Sequence, residues 1–294
     1  MYYQVDFDEE LRQVQRAVTY YQDSAAALRN ATDLSDEIRN YYRGMLVAPD
    51  SPALRFRSLF FAMRLQPVLS YMQQCEQPPR ILDLGCGYGL ESRLLSMAGA
   101  HVYGVDYSAD KIAEARRQQA TYEAEHGTQL PLRFDSASLF DFEADEPFDA
   151  VYSSATLHHI EPARQAVQVI ARLLKPGGWF FLSDENGFSP VQQLAVQQRI
   201  GWTSSRHIVK TNPQTGQTYE YGRENIRPPL IWRRHMTQAG LKPEFIKYCR
   251  LLPSLNWPLE RLVQAERTLR NMPVISQLLG IGFLLAARKP LPHD

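Results

Sequence analysis

The pattern of hydrophobic positions changes near residue 80. Before that point, apolar residues recur at spacings of three and four, as in Leu11, Val14, Val18 and Tyr21, which is typical of helices that bury one face. The polar stretch QQCEQPPR then ends the pattern, because consecutive prolines cannot continue a helix. Residues 1–78 are therefore predicted to be helical.

Short apolar runs alternate with amphipathic segments after this point. The predicted strands are 81–84, 101–106, 132–140 (a strand with its loop), 148–155 and 179–186. The predicted helices are 90–98, a helix from the N-cap Ser108 to Ala120, and 163–174, which Lys175-Pro-Gly-Gly closes. Strands that alternate with helices at this spacing predict parallel βαβ units with right-handed crossovers.

The alternation stops beyond Asn186. Residues 188 to about 228 are polar and rich in Gly, Pro, Asn and Thr, which predicts an irregular insertion. A helix at 230–240, a sixth strand at 241–252, a second helical insertion at 253–277 and a last strand at 280–289 follow. The chain is thus expected to form an α/β fold around a seven-stranded sheet.

The balance of charged residues limits the classes of partner that the protein is expected to bind. Lys plus Arg and Asp plus Glu each number 32 in the 294 residues, so the formal net charge is zero. A balanced chain lacks the broad positive field that binding to nucleic acid or to an anionic membrane normally needs. We therefore expect neither partner.

The cysteines and the N-terminus indicate the compartment. Cys75, Cys86 and Cys249 lie far apart and form no metal-ligand spacing, so a disulfide framework is not expected and a reducing compartment is. The acidic start MYYQVDFDEELRQ does not resemble a signal peptide, and the longest apolar run, Leu278 to Ala287, has ten residues, half of a membrane span. A cytoplasmic protein is the expectation.

The segment Asp83-Leu84-Gly85-Cys86-Gly87-Tyr88-Gly89 carries the strongest chemical signal, since it follows a predicted strand and precedes a helix. Glycines allow a tight turn and close approach of the backbone to a ligand. Dinucleotide-binding folds use a similar turn, but with GxGxxG spacing. Asp83 would also repel a pyrophosphate and attract an amine or a sulfonium. A nicotinamide-dependent oxidoreductase is therefore the less favoured alternative.

Asp106 ends the second predicted strand, seventeen residues after Gly89. A carboxylate at this place is able to accept hydrogen bonds from both vicinal hydroxyls of a ribose. The alternative is an acid that complements the dipole of the helix that follows.

Four segments, ILDLGCGYG, GVDYSADKIAEAR, FDAVYSSATLHHI and ARLLKPGGWFFLSDEN, resemble the class I S-adenosylmethionine (SAM)-dependent methyltransferases in order and spacing. The resemblance implies a Rossmann-like, mostly parallel sheet with an antiparallel last strand, SAM as cofactor, and methyl transfer to a small molecule, at O or N rather than C. It also implies a division into a helical cap or lid (1–78), a SAM-binding core (79–187), an insertion that covers the acceptor (188–235) and a C-terminal completion of the sheet (236–294).

The resemblance assigns the cofactor contacts residue by residue. Asp83, Gly85, Gly87 and Gly89, with Cys86 in the same turn, would hold the methionine part; Asp106 would hold the ribose, and Tyr107 would lie against the adenine. Ser138 and Leu139 would contact the adenine, with Asp135 or Asp141 as alternatives under a shifted alignment, and Ser153 would complete the set.

The segment Thr156-Leu157-His158-His159 follows the fourth strand, which faces the cofactor in this fold. Methyl transfer depends mainly on positioning, and a general base is needed only when the acceptor must lose a proton. Because imidazole titrates near neutrality, His158 is the candidate base and His159 a weaker one. Either histidine could instead simply pack, and no third ligand at a useful spacing supports a metal site.

The acceptor pocket is expected outside the common core. Its candidate lining is Tyr20, Tyr21, Phe60, Phe61 and Arg64 from the N-terminal helices, and Trp202, His207, Tyr219, Tyr221, Trp232 and His235 from the insertion. Six basic residues (Arg206, Lys210, Arg223, Arg227, Arg233, Arg234) stand against Glu220 and Glu224 there, which suits an anionic or sugar-like acceptor, although a solvated loop explains them as well. A non-catalytic SAM-binding subunit and a SAM enzyme of another reaction type remain alternatives, and the sequence leaves the oligomeric state open.

Overall fold

The computed structural model describes residues 5–32, 34–200, 207–211, 218–223, 225–253 and 255–292. Its helices are α1 (Phe7–Asn30), α2 (Asp36–Tyr41), α3 (Pro52–Met72), α4 (Leu90–Met97), α5 (Ala109–His126), α6 (Ala163–Leu173), α7 (Pro190–Ile200), α8 (Pro229–Gln238), α9 (Leu259–Arg270) and α10 (Pro273–Leu279). Its strands are β1 (Arg80–Leu84), β2 (His101–Asp106), β3 (Leu132–Ser136), β4 (Phe148–Ser154), β5 (Leu174–Glu185), β6 (His207–Thr211), β7 (Thr218–Arg223), β8 (Lys242–Cys249) and β9 (Gly282–Arg288). A single 3-10 turn, Leu157–His159, follows β4.

Seven of these strands form one sheet in the order β3-β2-β1-β4-β5-β9-β8. Strands β1 to β5 pair in parallel, whereas β9 is antiparallel to both β5 and β8. The predicted Rossmann-like sheet with an antiparallel last strand is confirmed. The strand order reverses between β1 and β4, and in open α/β sheets ligands bind at the carboxyl ends of the strands beside such a reversal.

The two faces of the sheet bury separate cores. Ile81, Tyr152 and Phe181 belong to the core that contains α1, α3 and α4. Leu82 and Phe180 belong to the opposite core, beneath α6 and α8. Alternate residues of the central strands therefore point to opposite hydrophobic layers, and their near-continuous apolar sequences follow from burial on both faces.

The three N-terminal helices begin where side chains cap them. Asp6, Ser35 and Ser51 each accept a hydrogen bond from the backbone N–H three residues ahead, which satisfies donors that the first helical turn leaves open. Helix α1 packs on α3, and Gln13 Oε1 accepts a buried hydrogen bond from Ser70 Oγ at 2.9 Å. The prediction of a helical region before the sheet is confirmed.

Three sequence expectations need correction. The segment 188–228 is not irregular, because it contains α7 and the antiparallel pair β6–β7. Strand β5 begins at Leu174 rather than 179, since Phe148 pairs with Leu174 before a bulge in the strand. Helix α5 continues past Ala120 to His126 and ends where Gly127 adopts a left-handed conformation.

Some residues of the predicted acceptor lining fall outside the described part. Trp202, Arg206 and Glu224 lie outside the described residues, as do the side chains of His207, Lys210, Tyr219, Glu220, Tyr221 and Arg223. Trp232 is fully buried in the core beneath α8. None of the helices in the described ranges combines the length and hydrophobicity needed to cross a bilayer.

Candidate active site

The turn between β1 and α4 requires glycine at two positions where its neighbours approach closely. Gly85 has a φ of +76°, and a Cβ there would lie 2.2 Å from the side chain of Thr156. Gly87 has a φ of +55°, and its Cβ would lie 2.9 Å from the hydroxyl of Tyr41. Left-handed backbone and close approach both exclude other residues. The turn therefore presents bare backbone at the carboxyl end of β1.

Asp83 places a buried carboxyl group directly beneath this turn. Its side chain is almost inaccessible to solvent, and Oδ2 accepts a hydrogen bond from Ser92 Oγ at 2.5 Å. Burial, with a smaller contribution from the negative charge of Glu91, raises the pKa of Asp83 to about 7. A cation bound next to this carboxyl group would restore its ionised form, so the site favours an amine or a sulfonium.

Asp106 ends β2 and organises the backbone around it. Its Oδ2 accepts the N–H of Gly87 at 2.9 Å and its Oδ1 accepts the N–H of Ser108 at 2.9 Å. Ser108, not Asp106, caps α5, since its hydroxyl accepts the N–H of Lys111. Each carboxylate oxygen retains a further lone pair, and Asp106 is partly exposed. The carboxylate of Asp106 is therefore still able to accept hydrogen bonds from two ribose hydroxyls.

The side chains of the other predicted cofactor-binding residues differ in their exposure to solvent. Tyr107 is 85% exposed, which leaves its ring open to a flat ligand. Ser138 Oγ accepts the N–H of Phe140 at 3.3 Å, and Leu139 is buried. Cys86 is buried within the turn, so its side chain does not face solvent. Ser153 is fully buried and donates to the carbonyl of Leu84 at 3.1 Å, so its hydroxyl ties β4 to β1.

The 3-10 turn after β4 carries the two candidate histidines. Nδ1 of His158 lies 2.5 Å from Oδ1 of Asp184, and both side chains are buried. The ring of His159 lies beside that of His158, with centroids 4.0 Å apart. A carboxyl oxygen beside Nδ1 favours the tautomer that carries its proton there, and in that tautomer Nε2 is the basic nitrogen of the neutral ring. Asp184 thus orients the imidazole of His158 and is a candidate site residue that the sequence pattern did not indicate.

A second ion pair lies on the other side of the glycine turn. Arg64 of α3 pairs with Glu91, in the first turn of α4. Tyr20 of α1 donates to the carbonyl of Leu90 at 3.0 Å. The predicted lining residues Tyr20 and Arg64 therefore bind the N-terminal helices to the first turn of α4.

Helix α2 and the residue after it cover the glycine turn itself. The ring of Tyr41 contacts that of Tyr88 edge-on at 4.7 Å between centroids, and Tyr42 lies 5.5 Å from Tyr88. Tyr88 is buried as a result. No local sequence pattern indicates this contact, which joins α2 and the residue after it to a turn more than forty residues further along the chain.

Comparison with known proteins agrees with this geometry. The sequence profile of the methyltransferase domain family matches residues 82–182, which extend from β1 into β5. A ubiquinone biosynthesis O-methyltransferase of Xylella fastidiosa (strain 9a5c) is 34% identical over 217 residues, covering 73% of this chain and 76% of that protein. Its namesake from Xanthomonas axonopodis pv. citri is 35% identical over 185 residues, covering 61% of this chain and 71% of that protein.

The chain belongs to the class I SAM-dependent methyltransferases. Solved structures support the fold of this methyltransferase. The magnesium protoporphyrin IX methyltransferase of Synechocystis PCC 6803, solved with bound S-adenosylhomocysteine (SAH), aligns with a TM-score of 0.55 at 18% identity, over 87% of this chain and 95% of that one. A SAM-dependent methyltransferase from Methanosarcina mazei aligns with a TM-score of 0.52 at 19% identity, over 75% of this chain and 97% of that one.

The site of this methyltransferase fits SAM on its own geometry. A glycine turn with left-handed backbone, a buried carboxyl group that a cation would ionise, and a partly exposed carboxylate at the next strand end lie along one edge of the sheet. Among the described residues, no group of three His, Cys, Asp or Glu side chains is arranged to hold a metal ion. The methyltransferase uses SAM as the methyl donor for a small-molecule acceptor.

Proposed function

We propose that this methyltransferase transfers the methyl group to a hydroxyl oxygen, with His158 as general base and Asp184 as the residue that orients it. The carrying observation is the 2.5 Å contact between His158 Nδ1 and Asp184 Oδ1 at the carboxyl ends of β4 and β5. A hydroxyl must lose a proton during methylation, whereas a neutral amine attacks without a base. The relatives named O-methyltransferases support oxygen as the acceptor atom.

The chemistry needs few groups. Bound SAM supplies an electrophilic methyl group on a positively charged sulfur. Nε2 of His158 would take the proton that the acceptor hydroxyl loses on methylation. Asp184 would stabilise the resulting imidazolium, because its carboxyl oxygen lies beside Nδ1. The buried position of the pair strengthens this stabilisation, since the local dielectric is low.

The proposed cofactor set is that implied by the family. Asp83, the backbone at 85–89 and Asp106 would hold the methionine and ribose parts, and Tyr107, Ser138 and Leu139 would surround the adenine. The open ring of Tyr107 and the partly exposed Asp106 support this set. Ser153 and the thiol of Cys86 have the weakest support, because both side chains are buried in the sheet or turn.

We further propose that residues 1–78 and 188–235 close over the acceptor. Tyr41 already lies above Gly87. At the other end, Asn225 donates its backbone N–H to the carbonyl of His158 at 2.9 Å, and Glu161 binds the side chains of both Asn225 and Arg227. The insertion is therefore anchored beside the candidate base, where a cover would exclude water.

The acceptor is proposed to be anionic rather than sugar-like, and the protein to be cytoplasmic. The described basic residues of the insertion support an anion weakly, because Arg227 is paired with Glu161. Arg57 and Arg64 of α3 support an anion better, because they lie on one face of that helix. Cys75, Cys86 and Cys249 are free thiols, as expected in a reducing compartment.

One experiment tests the proposed reaction. The purified protein is incubated with SAM and a panel of small hydroxy compounds and amines, and SAH release is measured for each. Mass spectrometry and NMR of the product then locate the new methyl group. Methylation on oxygen supports the proposal. A product methylated on nitrogen or carbon contradicts it, and SAH binding without turnover on any compound favours a non-catalytic SAM-binding subunit.

A further inference from the structure

Three arginines converge at the active-site edge of the sheet. Arg57 and Arg64 lie seven residues apart on α3, two turns along the same face, and Arg250 follows the end of β8. The guanidinium of Arg250 lies 4.8 Å from the ring centroid of Phe56 and 5.0 Å from that of Phe60. Arg64 lies 5.6 Å from the same Phe60 ring. Phe60 thus holds two guanidinium groups at once.

The positive charge of this cluster is only partly neutralised. Glu91 pairs with Arg64. Among the described residues, neither Arg57 nor Arg250 forms an ion pair. The Nε atoms of Arg64 and Arg250 are buried and have no hydrogen-bond partner within the same ranges. Burial and the nearby charges of Arg57 and Arg64 lower the pKa of Arg250, although the negative charge of Glu185 acts in the opposite direction. Like charges held together in a partly buried place are unfavourable unless an anion joins them.

The backbone fixes Arg250 in its place. Its φ of +61° is uncommon for a residue other than glycine. The next two N–H groups, of Leu251 and Leu252, both donate to Oε1 of the buried Glu266, at 2.8 Å and 2.9 Å. Residues held in such conformations occur where the surrounding structure enforces them, often at ligand sites. These hydrogen bonds fix the backbone that carries the guanidinium group of Arg250.

The cluster lies at a distance from the cofactor turn that suits one small molecule. Phe60 packs against Gly282, at the start of β9, which pairs with Glu185 of β5 and Cys249 of β8. Strands β5 and β9 are two and three places from β1 in the sheet, which corresponds to about 10–15 Å at the usual strand spacing. The end of β4, with the turn that carries His158, lies between them.

We propose that Arg57 and Arg250, with Arg64 and Phe60 beside them, bind a carboxylate of the acceptor, so that the substrate class is a hydroxy acid. Arginine matches a carboxylate with two parallel hydrogen bonds. This inference rests on the proposed O-methylation, and the experiment separates the two.

The experiment compares probes that differ only in the anion. Binding of benzoate, phenyl phosphate and benzyl alcohol is measured by calorimetry with SAH present. Methyl transfer is measured for 3,4-dihydroxybenzoate and for 1,2-dihydroxybenzene, which lacks the carboxylate. We expect benzoate to bind and the acid to have a KM about 10- to 100-fold lower than the neutral compound, the usual effect of a charged hydrogen bond.

Arginine variants locate the effect. Arg250→Gln and Arg57→Gln should each remove most of the KM preference for the acid over the neutral compound. Arg250→Lys keeps the positive charge but cannot donate two parallel hydrogen bonds to a carboxylate, so it should lose an intermediate part of the preference for the acid. Arg55→Gln is the matched control: Arg55 is on the same helix and binds Asn256 instead. Unchanged SAH affinity shows that each variant is folded.

Each outcome decides between the two proposals. Equal KM values for acid and neutral compound in the wild type, or benzoate binding that survives both glutamine variants, would overturn the carboxylate subsite and leave O-methylation standing. Benzoate binding that depends on Arg250, without methyl transfer to either hydroxy compound, would support the subsite and count against O-methylation of this substrate class. Binding of phenyl phosphate but not benzoate would overturn the carboxylate in favour of a phosphate, and absence of binding by either anion would overturn the subsite.

Discussion

Nδ1 of His158 lies 2.5 Å from Oδ1 of Asp184, and the contact joins the turn after β4 to the end of β5. The same Asp184 oxygen accepts the N–H of Glu185 at 2.8 Å, so the carboxylate is held in place before it orients the ring. A fixed carboxylate selects one tautomer of the imidazole and leaves Nε2 as the proton acceptor. This arrangement supports the proposed role of His158 as general base.

Replacing His158 tests this role directly. His158→Ala should lower turnover about 10²- to 10⁴-fold, the usual contribution of a general base, while SAH affinity measured by calorimetry stays nearly unchanged. Asp184→Asn should lower turnover less, because the base remains but loses its orientation and its stabilising charge. His159→Ala serves as the control and should retain most of the activity. Retention of more than about a tenth of wild-type turnover by His158→Ala would show that His158 is not the base.

The candidate site could be predicted from sequence only where a short segment carries it. The glycine turn, Asp106 and His158 each follow a strand that local hydrophobicity reveals. Asp184 also ends a strand, but its partner His158 is 26 residues away, and the contact exists only because β4 and β5 pair. Arg250 and Phe60 meet only after β8 joins the far edge of the sheet.

In the fold as well, elements set by local sequence pattern could be predicted, whereas those set by pairing between distant segments could not. Helices and parallel strands followed from spacing and burial, as in β1 and α4. The pattern predicts irregular chain where β6 and β7 pair, because these short strands have no long apolar run that would indicate a strand. The position of β9 between β5 and β8 depends on pairing between distant segments, which periodicity does not encode.

Asp106 is expected to contribute to cofactor binding through charged hydrogen bonds. Asp106→Ala should weaken SAH binding by about 1.5–3 kcal/mol, and Asp106→Asn, which retains one acceptor oxygen, should weaken it less. Asp110→Ala is the control, since Asp110 is an exposed acid in the first turn of α5. Calorimetry at constant salt measures all three. Equal affinities for Asp106→Ala and the wild type would remove Asp106 from the site.

Gly87 allows a test that separates backbone strain from loss of the ligand surface. Gly87→Ala places a methyl group against the Tyr41 hydroxyl in a backbone with φ of +55°, whereas Gly127→Ala has a similar φ of +60° with nothing within 4 Å. Both variants should lose about 1 kcal/mol of stability. Only Gly87→Ala should also lose SAH affinity, by roughly tenfold or more. Equal affinity in the two variants would show that the cofactor does not approach Gly87.

The two segments proposed to close over the acceptor should exchange their amide hydrogens more slowly when the cofactor is bound. Hydrogen exchange with and without SAH is expected to show protection in residues 5–50 and in 188–200 and 218–227, because closing segments exclude water from bound ligand. Tyr41→Ala should reduce the protection of the N-terminal segment, since Tyr41 contacts the ring of Tyr88 in the turn. Protection confined to residues 83–92 would contradict the cover.

Asp83 should make stability and cofactor affinity depend on pH in opposite directions. Its pKa is raised by burial from an ordinary value of 3.8 to about 7, so the folded protein favours the protonated carboxyl. The stabilisation that protonation provides is complete below about pH 4 and is lost as the pH rises through 7. Without cofactor, the free energy of unfolding of the wild type should therefore fall by about 1.4 kcal/mol more than that of Asp83→Asn between pH 6 and pH 8.

Over the same interval, SAH affinity of the wild type should rise up to about tenfold, because the cationic amine of the ligand needs the ionised carboxylate. Asp83→Asn should bind weakly at both pH values and show no such rise. Denaturant unfolding and calorimetry measure the two quantities, and an affinity rise that persists in Asp83→Asn would assign the titration to another group.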